Sequence, residues 1–273
     1  MDERSALIIG TSHSFGSCKR DENNEYIFED RVKHPNRWQD NLEKYNYKVT
    51  TFARAGCTAQ QQLDAFYHYI NDNPDLHWDL IIIEGRDPES TVAYPSDESI
   101  SDSKQLWSHW LLADKDNVTQ AEAIRNAIND GVKKFNINKL MLDSRLAKKE
   151  PWYKAYVWSN LHLIDVWSVN SALCSLASRY AKVVKWFTFG GEILHEEERK
   201  KKSNNLLDMF IGKYSIKNTL PALQRRNEKS IKNIFYHEQG KGPRCHCGHL
   251  NELGHKLLWD EILEPGLTDE NVL

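Results

Sequence analysis

Ala6-Leu7-Ile8-Ile9-Gly10-Thr11-Ser12-His13-Ser14-Phe15-Gly16 is the stretch on which the fold turns. The apolar run predicts a short buried strand, and the glycine-bounded polar run after it predicts a turn at the strand's end. Ser12 then stands where a first strand finishes, with backbone N–H groups of the following turn or helix around its hydroxyl. A nucleophile is useful in such a place.

Working outward, short apolar runs alternate with segments of helical period, the pattern of a parallel sheet with crossover helices. Five strands are expected: Ala6–Ile9, Tyr47–Phe52, Leu80–Ile83, Lys139–Leu142 and Lys182–Phe187. Leu80–Ile83 is the most apolar and should be central; it stops at Glu84-Gly85-Arg86-Asp87-Pro88. Helices are expected around Trp38–Tyr45, with Pro35 suiting the first turn, and over Thr119–Phe135 and Leu163–Tyr180. Another runs over Ala59–Ile70, burying Leu63, Phe66, Tyr67 and Ile70, and ends at Asn73-Pro74. A last helix, Glu252–Leu263, should bury Leu253, Leu257, Trp259 and Ile262 and end at Pro265. The result is a single α/β domain over residues 1–273 with two insertions. That near 88–116, with Tyr94, Trp107 and Trp110, reads as a lid or as a surface excursion with aromatic anchors. That near 192–242 carries Glu196-Glu197-Glu198 and then Arg199-Lys200-Lys201-Lys202, and reads as solvated helices or as a basic stripe for a polyanion.

Composition excludes several classes. With 273 residues, 40% apolar, the chain can bury a substantial core. Its 36 basic residues against 39 acidic give a net charge of −3, so the chain as a whole has no footprint for nucleic acid. Five cysteines, an odd and small number, argue against a secreted disulfide framework. Met1-Asp2-Glu3-Arg4 is charged, the apolar stretch behind it is too short for a signal peptide, and no run approaches the roughly 20 residues of a membrane span. A cytoplasmic protein without a membrane partner is expected.

A serine hydroxyl needs a base within hydrogen-bond reach before it can attack a carbonyl. His249 is the candidate, in Cys245-His246-Cys247-Gly248-His249-Leu250-Asn251 just before the last helix. Loops at the C-terminal strand ends of an open α/β sheet meet over one crevice, so a late histidine can meet an early serine.

Gly10-Thr11-Ser12, Arg54-Ala55-Gly56-Cys57-Thr58 after strand two, Gly85 after strand three, and His249-Leu250-Asn251-Glu252-Leu253-Gly254 before the closing helix fall in a telling order. Together they resemble the four blocks of the SGNH, or GDSL-like, hydrolases, and the resemblance spans most of the chain. It implies a three-layer α/β fold around a mainly parallel five-stranded sheet in flavodoxin-like order. It also implies a serine esterase working through an acyl-enzyme, with Ser12 as nucleophile, His249 as general base, and no metal or cofactor. By position, the oxyanion hole comprises the N–H groups of Ser12 and Gly56 and the side chain at Asp87. The family acts on acyl esters of lipids, carbohydrates and small molecules; Tyr94, Trp107, Trp110, Trp152 and Trp158 suit a sugar face or simply fill a core.

Three positions depart from the family's pattern. Thr11 replaces aspartate, Asp87 replaces an asparagine donor, and His246 stands where an acid orients the base. A carboxylate cannot donate to an oxyanion unless protonated, so Arg86 is the alternative donor, or Arg86 and Asp87 form a structural pair. His249 is then oriented by His246, by a backbone carbonyl or by a distant Asp or Glu. Cys245, His246, Cys247, His249 and His255 also raise a metal site, but Cys-His-Cys in succession points neighbouring side chains apart. His255 on the closing helix reads as structural. The departures leave a second function open: an SGNH-type fold kept as a binding or assembly module.

Overall fold

The computed structural model describes residues 3–15, 18–20, 26–31, 37–53, 59–85, 160–188, 206–216, 242–243 and 249–273. Among these, β1 (Arg4–Gly10) leads into a single helical turn, α1 (Ser12–Phe15). An antiparallel pair follows, β2 (Cys18–Arg20) with β3 (Tyr26–Arg31), where the sequence reads only as a polar stretch. A 3-10 helix (Trp38–Tyr45), β4 (Tyr47–Ala53), α2 (Ala59–Asp72) and β5 (Trp78–Gly85) come next. Then follow α3 (Asn160–Ala177), β6 (Ala181–Thr188), α4 (Glu252–Leu258), a π-helical turn (Trp259–Leu263) and α5 (Glu264–Asp269).

Four of the expected strands form one parallel sheet in the order β4-β1-β5-β6. β1 runs beside β4 from Arg4 opposite Tyr47 to Gly10 opposite Ala53, and beside β5 from Ala6 opposite Leu80 to Ile9 opposite Ile83. β5 pairs directly with β6 from Trp78 opposite Ala181 to Gly85 opposite Thr188. Among the described residues, β6 also makes a parallel bridge on its other edge, Trp186 to Ser215. The strand expected at Lys139–Leu142 and the helix at Thr119–Phe135 lie outside the described residues, as does the 88–116 insertion.

Side chains alternate across a strand, so each apolar run feeds two cores. Leu7, Ile9, Ile81 and Ile83 pack with Phe66 and Ile70 of α2 and with Val166, Trp167 and Leu173 of α3. Ala6, Ile8, Leu80 and Ile82 pack with Trp38 and Leu42 of the 3-10 helix and with Leu258, Trp259 and Ile262. Each large aliphatic side chain fully buried this way contributes about 1.5–3 kcal/mol.

Some expected faces turn out differently. α2 buries Ala59, Gln62, Ala65, Phe66 and Ile70, whereas Tyr67 is 52% exposed. Leu253 is 47% exposed because Gly254, His255 and Leu258 form the inner face of α4. Pro265 does not end the closing helix. The Glu264 N–H reaches back five residues to the Trp259 carbonyl, and this wider turn lets Pro265 occupy the first turn of α5, where a missing N–H costs little. Within the charged 192–242 segment, a short helix at 206–211 buries Leu207 and Ile211 at i, i+4 and is followed by buried Ile216. That part belongs to the core rather than to a solvated face.

At the N-terminal edge of the sheet, Asp79 of β5 accepts the Ser5 N–H at 2.7 Å and the Lys182 Nζ at 2.6 Å. The Lys182 hydrogen bond, followed by that of the Ser5 N–H, holds the Asp79 carboxyl below the usual range.

Candidate active site

The opposite edge of the sheet presents Gly10 from β1, Thr11 and Ser12 from the turn that follows it, and Glu84 and Gly85 from β5. Ile9 lies opposite Ile83, so the next residue of β5, Glu84, stands beside the point where β1 breaks into its turn. Glu84 is 1% exposed. Its Oε2 accepts the Thr11 N–H at 3.1 Å and the Ser14 N–H at 2.9 Å, and its two oxygens accept the Thr11 and Ser14 hydroxyls. A weaker bond, 3.4 Å long, runs from the His13 N–H to Thr11 Oγ1.

Two glutamines complete this arrangement from opposite sides of the sheet. Gln39 of the 3-10 helix donates to the Ser14 carbonyl, and Gln62 of α2 donates to the Glu84 carbonyl at 3.0 Å. Both are fully buried. Gly10 is required by space: a Cβ there would overlap Ser14 Cβ and stand 2.5 Å from Ser14 Oγ and 3.1 Å from Glu84 Oε2. Gly85 is required in the same way, since its Cβ would stand 2.5 Å from Trp186 Cε2 and 2.7 Å from Asn170 Oδ1. The Trp186 indole N–H donates to that Asn170 oxygen at 3.2 Å, which fixes the ring over Gly85.

Ser12 opens α1 directly at the tip of β1. The late histidine comes to the same tip: the rings of His249 and His13, the neighbour of Ser12, have centroids 4.8 Å apart with planes inclined by 41°. Its loop is tethered. Asn251 caps α4 by accepting the Gly254 N–H at 3.0 Å, donates its amide to the Gly242 carbonyl at 2.7 Å, and donates its backbone N–H to the Pro243 carbonyl at 3.0 Å. A Cβ at Gly254 would overlap the Pro243 carbonyl. The polar turn and glycine of the last block are thus accounted for by capping and close packing. His255 is buried, and its Nδ1 accepts the Trp38 N–H at 3.3 Å, a structural role.

Of the other residues singled out in the sequence, Gly56, Arg86, Asp87 and His246 lie outside the described residues, as do Cys245, Cys247 and the aromatics Tyr94, Trp107, Trp110, Trp152 and Trp158. Among the described residues, β4 stops at Ala53 and β5 at Gly85. Sequence reasoning missed Glu84, which reads as the residue that stops a strand; the available signal was a carboxylate ending the most apolar run in the chain. A groove of about 700 Å³ between the 3-10 helix and α4 is lined by Arg37, Asp40, Lys44, Glu252, Lys256 and Asp260, apart from His13 and His249. Among the described residues, no helix is long and apolar enough to cross a membrane. The chain matches no protein-family model, no curated protein and no solved structure.

Proposed function

We propose that this chain is a divergent SGNH-type serine esterase of the cytoplasm, with Ser12 as nucleophile and His249 as general base. The observation that carries the reading is the His13–His249 ring contact at the tip of β1: it brings an imidazole from the far end of the sequence to the residue next to Ser12. His249 takes the Ser12 hydroxyl proton as the oxygen attacks the ester carbonyl, and then protonates the departing alcohol. His249 next deprotonates a water that attacks the acyl-enzyme, releasing the acid and returning the proton to Ser12. The Thr11 and Ser14 N–H groups are bonded to Glu84 and the His13 N–H to Thr11 Oγ1, so the oxyanion role falls to the N–H groups of Ser12 and Gly56, with Arg86 or Asp87 as third member. His246 or a backbone carbonyl orients the base.

The finer fold belongs to this reading. A five-stranded, flavodoxin-like sheet in three layers is supported by the β4-β1-β5-β6 order, by apolar clusters on both faces, and by the Ser215 bridge at the outer edge of β6. The substrate class is a small or carbohydrate ester, the aromatics of the insertion supplying the sugar face.

One observation favours a second reading, a binding or assembly module on the same fold. Two of the turn's N–H groups, those of Thr11 and Ser14, are spent on Glu84 instead of facing outward. A fluorophosphonate separates the two. Labelling of wild type but not of Ser12→Ala is expected, with hydrolysis of short-chain nitrophenyl or acetylated-sugar esters lost in His249→Ala; a folded wild type that takes no label leaves the binding module.

A further inference from the structure

We infer that Glu84 is the positioning residue of the proposed nucleophile: its buried carboxylate fixes the Thr11–Ser14 turn, and the site accepts only one acid, which is why position 11 carries a threonine. The inference rests on the serine reading. Glu84 receives bonds from the residue before Ser12 and from the residue two after it, so the turn is gripped on both sides of the position to be aimed. Gly10 makes the grip possible, because Ser14 occupies the space over it and thereby reaches Glu84. Gln62 holds the Glu84 backbone and Gln39 the Ser14 carbonyl, so both halves of the contact are anchored to different helices. In the family's first block an aspartate precedes the serine; here an aspartate at position 11 would set its carboxylate against Glu84 Oε1 inside a site closed to water. Threonine presents a donor there instead.

Hydrogen bonding rather than charge is what this role demands, and the two are separable. In Glu84→Gln one amide oxygen still accepts the Thr11 and Ser14 N–H groups, and the amide nitrogen can donate to Thr11 Oγ1, whose hydroxyl rotates. In Thr11→Asp two acids face each other. In the double variant T11D/E84Q the glutamine amide donates to the new aspartate, restoring a single matched pair.

The test measures fluorophosphonate labelling rates of the full-length chain, with far-UV circular dichroism and melting on every variant. Glu84→Gln is expected to stay within about tenfold of wild type, Thr11→Asp to fall about a hundredfold, and T11D/E84Q to regain at least tenfold of that loss. A purely structural bond would change melting without this pattern of loss and rescue in rate. Wild-type labelling by folded Thr11→Asp, or a double variant no faster than Thr11→Asp, overturns the proposal while the serine reading stands. No labelling of wild type removes both. Should Thr11→Asp fail to fold, Thr11→Val carries the test: about tenfold slower labelling is expected, and an unchanged rate overturns the proposal.

Discussion

Strand β5 carries one acid near each end, one holding the start of β1 and the other the turn that follows β1, yet the two ends are built differently. At the N-terminal edge Asp79 takes the Ser5 N–H and hydroxyl and the Lys182 ammonium, on a side chain that keeps part of its surface in water. At the C-terminal edge Glu84 is sealed from solvent and takes two backbone N–H groups and two hydroxyls from a single turn. Both fasten a neighbouring segment to β5, but water can replace the partners of Asp79 and cannot replace those of Glu84. The difference separates an acid that secures a sheet edge from one that shapes a turn.

The comparison breaks most visibly with Glu84→Leu. Two buried N–H groups and two hydroxyls lose their acceptor, and urea unfolding should register a loss of about 3–5 kcal/mol. Gly85→Ala, which drives a methyl group into Trp186 and Asn170, should cost about 2–3 kcal/mol in the same assay. At the other end, Asp79→Ala should cost only about 1 kcal/mol near neutral pH. Its pH dependence sharpens the contrast. Because folding depresses the Asp79 pKa, its contribution is complete above the unfolded value of about 3.9 and disappears as pH falls through the lower folded value. The gap in stability between wild type and Asp79→Ala should therefore close on acidification below about pH 4, measured by melting across pH. Smallest of all, Lys182→Met should change stability by no more than about 0.5 kcal/mol, since Lys182 is 79% exposed, and added salt should erase even that.

Ala6–Ile9 and Leu80–Ile83 were legible because a strand buried on both faces leaves a continuous apolar run, whereas Tyr47–Phe52 and Lys182–Phe187, interrupted by lysine or threonine, were legible by their β-branched and aromatic residues. Helix faces were less so. Periodicity puts Tyr67 and Leu253 beside true core residues, but the angle at which a helix meets the sheet decides which flank is covered. The buried pair Leu207 and Ile211 was hidden by nearby charge, which dominates any composition window. The positions of Ser12 at the tip of a strand and of His249 before a helix were legible because a turn after a strand and a polar cap before a helix both leave local signatures. Glu84 left only a carboxylate at the end of an apolar run: its partners Thr11 and Ser14 are brought to it by strand pairing, and no local pattern encodes that meeting.

The core face formed by Ala6 and Ile8 is closed by Leu250, Leu258, Trp259, Ile262, Leu263 and Leu267, with the Tyr47 hydroxyl bonded to the Val272 carbonyl. During synthesis at about 5–20 residues per second, those covering residues emerge roughly tens of seconds after β1 does. The first strand is thus translated long before the segment that shelters one of its faces, and the nascent chain must keep Ile8, Leu80 and Ile82 from other hydrophobic surfaces until residues 250–272 arrive.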